Sequence, residues 1–245
     1  IQRYLFLFGV WEPCLTQWLR QRLKPGDVFV DVGANIGYYS LVSSVLVGAS
    51  GSVVSIEASP STFQKLLDNI RLNRLRNIRA LNVAASSASS TVRMFRAPAN
   101  NLGSSSLLEG DGFECEGEVQ AAALAGLLTA DEIRRARIIK IDVEGLEVVV
   151  VQGLLPVLAQ ARHDLEIIVE VGGGPGASAP SASSAAGEII PLMKAMGFNV
   201  YRVANNYSPR YYAEVSSFSR PARLSGGLAT LGECDLIFSR KNKKL

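Results

Sequence analysis

The chain is poor in the residues that usually announce chemistry. Its 245 residues include one histidine and three cysteines. His163 follows a helical stretch and precedes a strand, which puts it on the rim of a parallel sheet opposite any ligand crevice. It reads as an exposed loop residue, not a catalytic base. Cys14, Cys115 and Cys234 lie far apart with no Cys-x-x-Cys pair, so neither a zinc site nor a disulfide scaffold is expected. Charge of one sign is also lacking: 25 basic against 22 acidic residues give a net +3. That balance is too even for a nucleic-acid footprint. The Arg240–Lys244 run reads as a solvated end. No apolar run is long enough to span a bilayer, since Tyr4–Phe8 is short and is followed by Trp11 and Glu12. The chain starts at Ile1 and not Met, which leaves open a fragment or a processed form that lost a leader or organellar targeting segment. The cytoplasm is the default compartment.

What is present is core-forming material. Apolar residues make up 48 % and charged residues 19 % of the chain, as expected of one α/β domain over 1–245. Thr16–Leu23 has a helical pattern stopped by Lys24-Pro25-Gly26-Asp27. Val28–Val32 is a continuous apolar run with one acid, as in a strand buried on both faces. A helix over Ile36–Val47 follows, closed by Gly48, then a strand at Ser52–Glu57. Ser59-Pro60 is a helix start, and Phe63, Leu66, Leu67 and Ile70 form its buried stripe. Asn77–Val83 is a third strand. The alternation predicts a doubly wound, Rossmann-like sheet with helices on both faces. Further on, Thr91–Arg96 reads as a short strand and Asn100–Gly117 as loop. Ile138–Asp142 is a strand followed by a helix from near Glu144 that Gly153 and Pro156 split. Leu165–Val171 is a strand, and Gly172–Gly187 reads as a flexible loop of small residues. A helix over Glu188–Met196 and strands at Phe198–Val203 and Asp235–Ser239 complete the chain.

The most informative stretch is Asp31-Val32-Gly33-Ala34-Asn35-Ile36-Gly37, where the first strand turns into a helix. Ligands of doubly wound sheets bind outside the carboxyl ends of the strands. Gly33 permits a tight turn, Gly37 permits close packing of the helix start, and amides there can hold a carboxylate. Glu57, at the end of the second strand, is placed to accept hydrogen bonds from both hydroxyls of a ribose. A dinucleotide fingerprint requires a middle glycine where Asn35 stands. Asp31 would repel phosphates but suits a cation, and S-adenosylmethionine carries an ammonium and a sulfonium. The pattern favours that cofactor over NAD. A nucleotide-dependent oxidoreductase is the alternative, and a binding module that keeps the cofactor without turnover is a third reading.

The same residues resemble the first motif of FkbM-type methyltransferases. Ser55-Ile56-Glu57-Ala58-Ser59-Pro60 is similar to the next, although the family more often has Glu-Pro-Asn-Pro. Ile139-Lys140-Ile141-Asp142-Val143-Glu144-Gly145-Leu146-Glu147 resembles the most specific one. Gly48, Gly51–Val54, Asn69 and Asn73 match as well, and the resemblance runs from about Glu12 to Val171. It implies a sheet of about seven strands, mostly parallel with the last antiparallel. It also implies methyl transfer to a hydroxyl of a sugar, glycan or secondary metabolite. Asp31, Gly33, Ala34, Asn35 and Gly37 are then expected at the amino-acid end of the cofactor, Glu57 at the ribose and Ala84 on the adenine side.

Asp142, Glu144 and Glu147 fall where the fourth main strand meets its helix. An acid there can steady a cationic sulfonium, and another can take a proton from an acceptor hydroxyl. Asp142 and Glu144, in that order, are the candidate catalytic residues, whereas Glu147 suits a helix's first turn. No metal site is expected. Asn101 and Ser104–Ser106 in the middle loop, and Tyr201, Tyr207, Tyr211, Tyr212, Arg202 and Arg210 near the end, are candidate acceptor contacts with an equally good reading as packing and surface. The expected partner is a small-molecule or glycan acceptor. The oligomeric state is not legible.

Overall fold

A computed structural model describes residues 1–96, 105–106, 112–172, 181–204, 206–214, 220–225, 228 and 231–242. Its strands are β1 (Val28–Val32), β2 (Ser52–Ile56), β3 (Ile78–Leu81), β4 (Ala84–Ser86), β5 (Ser90–Arg96), β6 (Ser105–Ser106), β7 (Glu114–Ala123), β8 (Ala136–Ile141), β9 (Glu166–Val171), β10 (Asn199–Ala204), β11 (Ala222–Arg223) and β12 (Cys234–Ser239). The helices are α1 (Gln2–Phe8), α2 (Pro13–Arg22), α3 (Tyr38–Val47), α4 (Pro60–Leu72), α5 (Leu124–Leu127), α6 (Ala130–Arg135), α7 (Glu147–Leu154), α8 (Ala182–Ala195) and α9 (Pro209–Glu214).

The main sheet has eight strands in the order β11-β10-β12-β9-β8-β1-β2-β3. β1, β2, β3, β8 and β9 are parallel, and β12 is antiparallel to both β9 and β10. The last strand is thus antiparallel, as expected. The count is eight and not seven because the two-residue β11 pairs onto the outer edge of β10. All five residues of β1 and all six of β8 are buried, which follows from helices covering both faces. On one face α2 and α3 bring Leu15, Trp18, Leu19 and Val47 onto Phe29, Val53, Ile138 and Ile237. On the other, α7 and α8 bring Val150, Leu154, Ile189 and Met193 onto Val30, Ile139, Ile167 and Leu236. Burying side chains of this size stabilises by roughly 1.5–3 kcal/mol each.

The helix starts follow local chemistry. Ser59 Oγ accepts the Thr62 amide at the head of α4, with Pro60 in the first turn. Thr129 and Glu132 form a reciprocal capping box at α6. α3 begins at Tyr38 rather than Ile36, after Gly37 in a left-handed conformation. The helix after β8 begins at Glu147, because Glu144 (φ 54°) and Gly145 (φ 99°) first make a left-handed turn. α7 ends at Leu154 and a 3-10 segment continues over Leu155–Gln160, so the expected split occurs.

Two stretches differ from the sequence reading. A second, four-stranded sheet (β4-β7-β5-β6) occupies the middle of the chain. Its strand β7 starts at Glu114, inside the stretch read as loop up to Gly117. That start is polar because it lies on an exposed part of the sheet. The segment read as a flexible loop over 172–187 contains the first six residues of α8. Ser181 Oγ caps the Ser184 amide, and Ala182, Ala185 and Ala186 are buried against the sheet. Small residues serve helix packing there, alanine being the best helix former. Residues 173–180 lie outside the described residues, as do Asn101 and Ser104.

Candidate active site

The sheet order reverses between β1 and β8, and a cavity of about 350 Å³ opens at the carboxyl ends of the strands there. This is where doubly wound sheets bind ligands. Of the residues expected from the sequence, Asp31, Gly33, Ala34, Asn35, Glu57, Ala84, Asp142 and Glu144 all line it. Gly37 does not. It is buried under α4, where an added Cβ would lie 2.5 Å from Leu66 Cδ1, so its close packing is against a helix and not a ligand.

The β1–α3 loop is held by its own amides. Gly33 and Ala34 donate to the Ile56 carbonyl, both at 2.9 Å. The Asn35 amide donates to Glu57 Oε2 at 2.8 Å, Ile36 to Asn35 Oδ1 at 2.8 Å, and Gly37 to the Ala34 carbonyl at 2.8 Å. Five consecutive amides are therefore satisfied within the protein. In this geometry they are not a cradle for a ligand carboxylate, as the sequence reading allowed, nor for a pyrophosphate. Asn35 adopts the left-handed conformation (φ 51°) that asparagine tolerates better than most residues.

Glu57 is fixed at both oxygens, since Oε1 also accepts the Ser59 amide at 2.9 Å. Burial pushes its carboxyl up to about 7, against those two hydrogen bonds. Asp31 accepts Ser40 Oγ at 2.5 Å. Burial raises it to about 6, opposed by the Lys140 charge. Asp31 and Lys140 are register partners on β1 and β8, so their side chains leave the sheet on one face. Ala84 sits on β4, where with Ala85, Val83, Ala58 and Met94 it makes an apolar wall. The second sheet supplies that wall: Ala84 and Met94 pack with Val119 and Ala121 of β7.

Asp142 accepts Lys140 Nζ at 2.6 Å. Lys140 is 1 % exposed, with Nζ 4.9 Å from the centre of the Tyr39 ring. Burial works against its charge, but Asp142, Glu12, Glu170 and Asp235 outweigh it and shift the ammonium upward. Glu147 is buried outside the cavity lining and accepts the Gly145 amide at 2.9 Å, so it secures the turn that carries Asp142 and Glu144. His163 is exposed on the opposite rim.

Several lining residues were not singled out from the sequence. Glu12, before α2, accepts the hydroxyls of Tyr39 and, at 3.0 Å, Tyr207. The Tyr207 hydroxyl also lies 3.2 Å from Glu170 Oε1. Burial raises both carboxyls, and for Glu170 the neighbouring Asp142 and Glu12 charges add to it. Of the late tyrosines considered as acceptor contacts, Tyr207 alone lines this cavity. Tyr201 is in the core, Tyr211 contacts Cys14 Sγ, and Tyr212 accepts the Glu12 amide at 3.0 Å.

The chain is similar to known proteins in sequence and in fold. Over 165 residues the chain is 26 % identical to the hexuronic acid methyltransferase AglP of Haloferax volcanii, covering 66 % of this chain and 63 % of that protein. The fold is similar to that of methyltransferase FkbM from Methylobacillus flagellatus (TM-score 0.54, 12 % identity), with 92 % of this chain matched to 50 % of the other. It is also similar to an S-adenosylmethionine-dependent O-methyltransferase from Thermotoga maritima (TM-score 0.52, 9 % identity), covering 99 % and 71 % of the two chains. This chain thus spans half to two-thirds of the length of its first two relatives. Residues 31–200 match the family described as the methyltransferase FkbM domain. The chain therefore belongs to the FkbM methyltransferase family.

Proposed function

We propose that the protein transfers a methyl group from S-adenosylmethionine to a hydroxyl of a sugar, glycan or secondary metabolite. The observation that carries this reading is the charge of the cavity. Among the described residues, Glu12, Asp31, Glu57, Asp142, Glu144, Glu170 and Glu233 line it, against the single basic side chain of Lys140. Such a cavity suits a ligand with an ammonium and a sulfonium and repels a pyrophosphate. The relative from Haloferax volcanii, named for a hexuronic acid, supports a sugar as the acceptor class.

The cofactor supplies an activated methyl group for in-line displacement. Asp31 is placed to pair with its ammonium, and Glu57, anchored by two amides, to accept the ribose hydroxyls. Ala84 and Met94 offer an apolar surface to the base. Asp142 and Glu144 stand at the reacting end. Asp142, steadied by Lys140, offers a carboxylate to the acceptor hydroxyl, orienting it and receiving its proton as the new C–O bond forms. Holding the two reactants in line is the larger part of the acceleration such a site can deliver.

Incubation with methyl-labelled S-adenosylmethionine and a panel of hydroxylated acceptors tests the reading. Labelled product that falls by a factor of about 100 or more in Asp142→Asn is expected. Transfer unaffected by that substitution removes Asp142 from the chemistry.

A further inference from the structure

We infer that Tyr207 holds the methyl acceptor and that its hydroxyl sets which position of the acceptor is methylated; this rests on the methyl-transfer reading above. The order of strands along the rim carries the inference. The carboxyl ends of β9, β8, β1 and β2 stand side by side, neighbours about 4.8 Å apart, and β3 follows. They carry in turn Glu170, Asp142, Asp31 and Glu57, with Ala84 beyond β3. The cofactor placement above uses the stretch from Asp31 to Ala84, with Asp142 at the reacting end. The cavity continues past Asp142 over β9, where Glu170, Tyr207, Trp11 and Glu12 line it. Lys140 is the register partner of both Asp31 and Ile168, so Glu170, two residues after Ile168, leaves the sheet on the same face as Asp31. A molecule held over β9 would lie on the far side of Asp142 from Asp31, Glu57 and Ala84, which is the place for a methyl acceptor.

Tyr207 is fixed there through its ring and its hydroxyl separately. The ring stacks on Trp11, with centroids 5.2 Å apart at 17°, and the Tyr207 carbonyl accepts the Tyr4 hydroxyl. The hydroxyl lies 3.0 Å from Glu12 Oε1 and 3.2 Å from Glu170 Oε1. Glu12 is itself anchored: its amide donates to the Tyr212 hydroxyl at 3.0 Å, and its other oxygen accepts the Tyr39 hydroxyl. Packing alone asks only for an aromatic ring at 207. A phenol hydroxyl both donates and accepts, and one held by two carboxyls is a polar point of fixed position on the cavity wall. Such a point orients a hydroxylated substrate. Tyr207 and Trp11 also lie outside residues 31–200, which match the methyltransferase FkbM domain. The wall they form is thus no part of the matched domain, which fits a residue that sets the acceptor and not the common chemistry.

Tyr207→Phe keeps the ring and its stack and removes the hydroxyl. Wild type and variant, saturated with methyl-labelled S-adenosylmethionine, are offered methyl glucoside, galactoside and mannoside and the corresponding methyl uronides. The probe that takes most label is carried through, with the methylated position read by NMR. KM for that probe should rise about tenfold in Tyr207→Phe, the worth of one hydrogen bond, and label should appear at a second hydroxyl. Calorimetric affinity for S-adenosylmethionine should be unchanged. Wild-type KM with a single product means that Tyr207 acts as packing, and overturns the inference. So does a loss of cofactor affinity, which would put the cofactor at Tyr207. A second measurement needs neither variant nor acceptor. Trp11 lines this end of the cavity, and the only other tryptophan, Trp18, is 4 % exposed in the core, so quenching of emission by acrylamide reports on Trp11. Saturation with the demethylated cofactor should leave that quenching unchanged. Protection of Trp11 would mean that the cofactor fills this end, and overturns the inference even where no probe takes label. Failure to bind the cofactor would instead defeat the methyltransferase reading itself, a separate result.

Discussion

Gly33 passes beneath the main-chain carbonyl of Asp142, so closely that a Cβ on Gly33 would lie 1.7 Å from that oxygen. The turn after β1 and the turn after β8 are thereby locked to each other, across the two strands where the sheet order reverses. Gly33 also has φ +79°, which a side chain resists. Gly33→Ala should cost about 3 kcal/mol or more, at the large end for single substitutions, where overpacking and backbone strain lie. Thermal or denaturant unfolding checks this, and an unchanged midpoint would mean the two turns are not in contact.

The opposite result is expected in α8. Gly187 is an exposed residue within the helix, and a Cβ added there would meet nothing within 4 Å. Gly187→Ala should stabilise by about 0.5–1 kcal/mol. Denaturant titration with an unchanged slope reads it directly. Destabilisation would contradict helix at 182–187.

Lys140 pairs with Asp142 and its charge also acts on Asp31, Glu12 and Glu170. Lys140→Met removes a buried positive charge from among Asp31, Asp142, Glu12 and Glu170. The expected cost is about 3–5 kcal/mol at neutral pH, and smaller near pH 5, below the value of about 6 to which burial raises Asp31. Unfolding curves for the variant at the two pH values test this; a cost independent of pH would mean Lys140 acts by packing alone.

Binding of the cofactor should depend on pH with a definite sign. Glu57 is raised to about 7 and Asp31 to about 6, in both cases chiefly by burial. A cationic ligand prefers the ionised carboxylates, so affinity is greatest above the higher value and falls as pH drops through 7 and then 6. From about pH 8 to pH 5.5 the weakening should exceed tenfold, with protons released on binding. Calorimetry in buffers of different ionisation enthalpy measures both. Tighter binding in acid would contradict the assignment.

Much of this was readable in the chain. The run Val28–Val32 sits in a sheet covered on both faces, and Ser59-Pro60 caps α4 as its chemistry demands. Eight of the nine expected site residues line one cavity, because they cluster at strand ends that the parallel sheet brings to one rim. The rest depended on distance in sequence. Glu12, Tyr39, Glu170 and Tyr207 meet only through tertiary packing. Lys140 did leave a signal: a lone charge inside Ile138-Ile139-Lys140-Ile141 must find a buried partner. Of the second sheet, β5 was legible at Thr91–Arg96, but β7 escaped because half of its residues are exposed. The start of α8 escaped because alanine, serine and glycine describe a loop as readily as a closely packed helix.

Everything proposed for this cavity depends on its holding S-adenosylmethionine with Glu57 on the ribose. The most direct test is calorimetry of S-adenosylmethionine and its demethylated product, on the wild type and on Glu57→Ala. Saturable binding of both ligands, weakened about tenfold to a hundredfold in a variant that still folds, is the predicted result. Absence of binding by folded wild-type protein, or equal affinity in Glu57→Ala, would contradict it.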